Sequence, residues 1–173
     1  MSTDSLRQWV ADRTGITAIW QHPNAPRPAR PYASLQVINS ARVALPYTTP
    51  PDTEGAVEVQ AQREVTISIQ IHEAADTADP RAALERAEYL RDSLELPGVR
   101  DYLAANGWAL RDTELLADTP GLVDTAWEPR ATFDARFGHT VTQSDDAGLL
   151  DTAEITGTVE SGDASETTDT TLE

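Results

Sequence analysis

The sequence predicts an α+β fold, a mainly antiparallel sheet with a long β-hairpin and two to three helices packed on one face. Three patterns predict it. Residues 33–45 place Ala33, Leu35, Val37, Asn39, Ala41, Val43 and Leu45 at odd positions, with mostly polar residues between them. Residues 57–71 repeat this with Val57, Val59, Ala61, Arg63, Val65, Ile67, Ile69 and Ile71 against Glu58, Gln60, Gln62, Glu64, Thr66, Ser68 and Gln70. Such alternation gives a strand one buried and one wet face, as in an antiparallel sheet. Between 79 and 94 the period changes, and Ala83, Ala87, Leu90 and Leu94 form one stripe of a helix. The order strands, helices, strands then gives the fold class.

The elements follow in sequence. Residues 2–14 read as a short amphipathic helix. Leu6, Trp9 and Val10 fall at helical spacing, Ser2 and Asp4 are available as caps, and Gly15 follows the end. Residues 16–20, ITAIW, are a short apolar run expected to form a buried strand. Residues 22–31 carry Pro23, Pro26, Pro28 and Pro31, which remove backbone donors and fix φ, so an extended loop is expected. Residues 46–56 are a Pro/Gly turn region joining the two alternating strands into a hairpin. A 15-residue strand would span about 50 Å, against a usual strand of about 5–6 residues. This hairpin is therefore expected to run past the core of its own domain and to need cover from a neighbouring subunit. Arg63, on the apolar side, marks either where the hairpin leaves the core or a bulge.

Asp79 and Pro80 supply an N-cap and a first helical residue, and Arg81 with Glu85 an i,i+4 ion pair. Pro97-Gly98 breaks that helix, and a second one over 99–105 ends at Asn106-Gly107. Residues 108–116 form a weakly patterned strand, 117–121 a turn, 131–137 a clear strand with Ala131, Phe133, Ala135 and Phe137 inward, and 152–159 a last weak strand.

The charge balance bounds the function. The 173 residues carry 13 basic and 29 acidic side chains, a formal net charge of −16. Phosphate gripping needs clustered positive charge, and the balance here is the opposite. Every basic residue is arginine, and the last is Arg136, so −9 of the −16 lies beyond it. Residues 161–173 contain one large apolar side chain, Leu172, too little to offset the entropy of ordering them. The expected organisation is thus a domain over 1–160 and a disordered acidic tail over 161–173. No run reaches about 18 apolar residues, so no bilayer span is expected. Residues 1–15 lack a basic start and apolar core, so no secretory signal is expected.

Catalytic chemistry finds little support. With no cysteine, thiolate metal sites, thiol catalysis and disulfides are excluded. His22, His72 and His139 have no metal-site spacing, the nine glycines are scattered, and no serine elbow is present. Asp145, Asp146 and Asp151 match no calcium loop and read as an acidic surface. The four tryptophans read as core or interface packing. No enzyme activity, metal or cofactor is expected.

Several of these segments together resemble a known family. The run 24–43, NAPRPARPYASLQVINSARV, joins a Pro/Arg loop to a strand opening in Pro-Tyr. The strand REVTISIQIHEA over 63–74 follows, then an Asp/Ala-rich helix, an L-x-L-P-G break, the strand RATFDARF over 130–137 and the closing AEITGTVESG over 153–162. Over residues 4–162 the chain resembles the neck or tail-terminator (gateway) proteins of long-tailed bacteriophages. That resemblance implies a virion protein, made in the host cytoplasm and assembled into a homo-oligomeric ring, usually a hexamer. The ring would terminate the tail tube, meeting tube protein (and sheath, in contractile tails) on one face and the collar or connector protein on the other. DNA would pass only transiently through its lumen. The alternatives are a head-completion, collar or tail-tube-like subunit, and, in a different class, a soluble adaptor whose acidic tail binds a basic partner. The candidate subunit interface is the hairpin over 35–71 with the loop around Arg27 and Arg30, represented by Arg27, Arg30, Tyr32, Leu35, Val43, Tyr47, Val57, Val59 and Arg63.

Overall fold

The computed structural model describes residues 3–21, 24, 26–74, 77, 79–123, 126–146, 148, 153–161 and 164–172. It divides into two compact units, Met1–Pro46 with Ala61–Val141, and Tyr47–Gln60 with Thr142–Glu173. The strands are β1 (Thr17–Trp20), β2 (Tyr32–Arg42), β3 (Tyr47–Thr48), β4 (Ala56–His72), β5 (Ala109–Thr113), β6 (Ala117–Asp118), β7 (Gly121–Val123), β8 (Ala126–Glu128), β9 (Arg130–Asp146), β10 (Ala153–Ser161) and β11 (Ala164–Leu172). The helices are α1 (Asp4–Thr14), α2 (Ala82–Ser93) and α3 (Pro97–Ala105). The main sheet has the order β1-β2-β4-β9-β5, with β3 on β4 and β6 on β9. β2 on β4, β3 on β4, β5 on β9 and β6 on β9 pair antiparallel, and β1 on β2 pairs parallel. The predicted α+β class is the observed one.

The core of the first unit lies between this sheet and the three helices. The odd residues Val65, Ile67, Ile69 and Ile71 of β4 and Ala131, Phe133, Ala135 and Phe137 of β9 are buried, as are Ala33 and Leu35 of β2. Against them pack Leu6, Trp9 and Val10 of α1, the predicted α2 stripe Ala83, Ala87 and Leu90 with Leu94, and Val99 and Leu103 of α3. Phe137 is the hub. Trp9 and Trp108 meet it edge-on, with ring centroids 6.5 and 6.1 Å away. Trp9 Nε1 donates to Ser93 Oγ at 3.2 Å, fixing α1 to α2. The other sheet face is polar, with Ser68 and Thr132 hydroxyls 3.4 Å apart and Arg136 paired to Asp112 at 2.5 Å.

The helix ends differ in detail from the predicted ones. Thr3 is the α1 N-cap and makes no side-chain cap bond, while Asp4 in the first turn pairs with Arg7 at 2.7 Å. Gly15 closes α1 at φ +68°, where a Cβ would be strained. Asp79 precedes α2 in a turn, its Oδ1 accepting from Arg81 N at 2.8 Å. Arg81 is the N-cap, its carbonyl accepts from Glu85 N at 2.9 Å, and among the described residues the predicted Arg81–Glu85 ion pair is not formed. Arg86 is the structural cation of α2, reaching Glu73 at 2.6 Å and the Thr14 carbonyl at 2.9 Å. α2 already ends at Ser93, and Pro97 opens α3 in its first turn, where its missing N–H costs nothing.

In the second unit, β3 pairs with the first part of β4, Tyr47 opposite Gln60 and Thr48 opposite Val59. The predicted turn is built by Asp52, whose Oδ1 accepts from Glu54 N and Ala56 N at 2.9 Å each. β10 and β11 form a two-stranded antiparallel sheet, Ala153 opposite Leu172 and Ser161 opposite Ala164. This ladder covers part of the stretch read from composition as an acidic tail over 161–173.

Candidate assembly surface

The outer half of the long hairpin is where sequence pattern and burial part. Along β2 the residues Tyr32 to Leu35 are buried and those after them exposed. Along β4 burial begins at Val65, and residues 56–64 are exposed or half-buried. A bulge explains the β2 side. Val37 faces Ile67, but Asn39 faces Thr66, so Ile38 is an extra residue. An extra residue shifts the side-chain phase by one. After it the inward face of β2 passes from odd to even positions, with Ser40 opposite Val65 and Arg42 opposite Arg63. Ala41 lands on the face away from Leu35, against the alternation expected through 45. The bulge sits on β2, not at Arg63, and Arg63 is exposed just before the buried part of β4.

β2 is also an open edge along this stretch. Among the described residues, β1 covers only Tyr32 to Leu35, and the bond from Gln21 N to Leu35 O is the last on that side. Val37, Ile38 and Val43 are 47%, 55% and 62% exposed. An edge strand with unpaired backbone groups and apolar side chains is a template for another chain.

The candidate interface residues therefore separate. Tyr32 (4% exposed) and Leu35 (0%) are used up in the subunit's own interior, so the structure corrects their place on an outer surface. The reason is the bulge and β1, which confine the outer surface to residues after Leu35. Val43, Arg63 and Arg27 are exposed in the first unit. Tyr47 is exposed, and Val57 and Val59 half-buried, in the second.

Arg30 has another task, which sequence reasoning missed. Glu128, at the end of the β7–β8 hairpin, is fully buried. Its Oε2 lies 2.8 Å from Arg30 Nη2 and 2.9 Å from Arg130 Nη2, and its Oε1 3.4 Å from His72 Nδ1. His72 stacks on Tyr32 with centroids 4.5 Å apart and meets Ser34 Oγ at 3.2 Å. One carboxylate thus ties the Pro/Arg loop, the end of β4 and the start of β9 together. β7 and β8 have three residues each, too few for periodicity to be read, and nothing in the sequence singles out Glu128. Burial alone would raise the Glu128 pKa, but the Arg130 hydrogen bond and the charges of Arg130 and Arg30 outweigh it and hold it low. Burial, the Arg130 charge and, more weakly, Arg27 push His72 down to about 4, against the pull of Glu128.

That shift has a measurable consequence. Below pH 6.5 the unfolded chain takes up a proton at His72 that the folded chain refuses until about pH 4. Stability must therefore fall as pH drops through this window, and the lowered Glu128 pKa extends the fall to lower pH. Between pH 7 and 4.5 the His72 share is about 2 kcal/mol. Urea unfolding of His72→Gln should show a loss over that interval smaller by this amount. Equal losses in both proteins would exclude His72 as the source.

Among the described residues there is no cluster of His, Asp and Glu fit for a metal ion, and no helix long and apolar enough to cross a membrane. No curated protein matches the chain. Residues 2–163 match the family model described as phage neck terminator protein. That match takes in the open β2 edge, the long hairpin, the Glu128 cluster and all three helices. The chain belongs to the phage neck terminator protein family, and is accordingly a structural protein of the virion neck.

Proposed function

We propose that this neck protein assembles into a closed homo-oligomeric ring, a hexamer, that terminates the tail tube and joins it to the head-side connector, leaving a channel for DNA. The observation that carries this reading is the outer hairpin. Its strands have an open β2 edge, and exposed Val37, Ile38 and Val43 lack cover within the subunit. A head-to-tail contact closed by rotation gives every such edge a partner and leaves none over, which limits growth to a ring. Tube protein, with sheath in a contractile tail, is the partner of one ring face and the collar or connector protein that of the other. A net charge of −16 suits a conduit that DNA traverses, since no counterion release holds the phosphates.

Light scattering and negative-stain microscopy of the full chain, alone and with tube protein, test this. The expected result is a closed ring of uniform subunit number, and a monomer at high concentration with tube protein present overturns it. Deleting residues 46–58 should leave the first unit folded, with cooperative unfolding retained, while ring formation falls below detection. Unimpaired assembly of that variant would remove the hairpin from the mechanism.

A further inference from the structure

A second feature of the first unit concerns its arginines. A cleft of about 200 Å³ is lined by Arg63, Arg111, His139, Trp108, Val43 and Ala104, among others. Arg63 and Arg111 are exposed, and among the described residues neither forms an ion pair or a side-chain hydrogen bond. Two guanidiniums without a carboxylate partner among the described residues are thus gathered on one cleft. Arg42 stands directly opposite Arg63 across the β2–β4 ladder, a like-charge pair that adds to the positive field. Arg111 lies over Gly138, where a Cβ would sit 2.7 Å from its Nε, so glycine lets this side chain lie flat against the strand. His139 tilts against Trp108 at 5.2 Å. Burial first, and the Arg63 charge second, lower the His139 pKa.

The carbonyls at the end of α3 do not neutralise the cleft. Tyr102 O and Leu103 O accept from Asn106 N, Leu103 O also from Trp108 N, and Ala104 O from Gly107 N. Asn106 Nδ2 adds a further bond to Tyr102 O. Each of these carbonyls already accepts a hydrogen bond, and among the described residues no carboxylate pairs with Arg63 or Arg111.

We propose that this cleft is an anion site whose ligand is a carboxylate side chain of an acidic peptide segment. Two planar forks on one cleft suit bidentate pairing with carboxylate. Trp108, Val43 and Ala104 offer an apolar wall to the methylene stem of Asp or Glu, which a hydrated phosphate lacks. The amides of Asn106, Gly107 and Trp108 are already bonded, so the backbone nest on which phosphate sites rely is not available from this turn. The proposal does not depend on the ring, and ring failure would leave it standing.

The test uses the full chain and a fluorescently labelled octaglutamate peptide, followed by anisotropy at low ionic strength, where such pairs are least screened. Saturable binding is expected, weakened about tenfold by Arg63→Gln and by Arg111→Gln, the scale of one lost charge-assisted pair. Arg81→Gln, an exposed arginine outside the cleft, should change it less than about twofold. Thermal unfolding of each variant checks that the fold is kept. No binding, or binding indifferent to both cleft substitutions, overturns the site. Tighter binding of inorganic phosphate or of a short DNA duplex, with the same arginine dependence, overturns the carboxylate assignment in favour of phosphate.

Discussion

Phe137→Ala is expected to cost about 3–5 kcal/mol, the usual range for removing a buried aromatic ring. Phe137 is fully buried on β9 and is the one side chain that both Trp9 of α1 and Trp108 meet edge-on. Truncation opens a cavity between sheet and helices and removes both aromatic pairs. Trp9 cannot collapse into the space freely, since it is held by Ser93. Against a total stability of about 5–15 kcal/mol this is a large fraction. At about 2–4 °C per kcal/mol for a domain of this size, the melting temperature should drop by roughly 6–20 °C. Calorimetry checks this, and a drop below about 3 °C would mean that the first unit is not held together at this hub. Phe137→Leu should cost less, because it leaves a smaller void.

Glu128→Gln is expected to cost about 2–4 kcal/mol, somewhat less than a fully buried pair. The carboxylate is fully buried, whereas the Arg30 and Arg130 side chains are 28% and 25% exposed. When the charge is removed, both guanidiniums can turn partly to water, which limits the penalty. The local consequence should exceed the global one. Arg30 is the link that ties the Pro/Arg loop to Glu128, so amide exchange at residues 27, 29 and 30 should accelerate at least tenfold in the variant. The α2 amides should change only in proportion to global stability. Unchanged exchange in the loop would show that Arg30 is not its anchor.

The buried half of the fold was legible because burial imposes period. Val65 to Ile71, Ala131 to Phe137 and the α2 stripe alternate or recur as the sequence predicts, and all are buried. The resemblance of the Pro/Arg loop, hairpin and closing strands to tail terminators agrees with the family that residues 2–163 match. The outer half of β2 was not legible. Alternation continues in the letters through Leu45, but one extra residue at Ile38 reverses which side chains face inward. No local signal announces a bulge, because its cause is the pairing of two strands remote in sequence. Tyr32 and Leu35 were placed on an outer surface for the same reason, since only the position of β1 shows where β2 ceases to be an edge.

By itself the sequence determined the α+β class, the order of its main elements, the inward face of β4, β9 and α2, and an acidic chain without cysteine chemistry. Each follows from composition or from a period that holds within one segment. Tertiary structure alone decided the Glu128 cluster, the open edge of β2, and the cleft that gathers Arg63, Arg111 and His139. These join residues dozens of positions apart, and their energies depend on burial and on charges brought together by the sheet. A carboxylate in a three-residue strand and an arginine on an apolar stripe are unremarkable as letters. They acquire a role only when strand pairing removes water from one and sets the other on a cleft beside a second arginine.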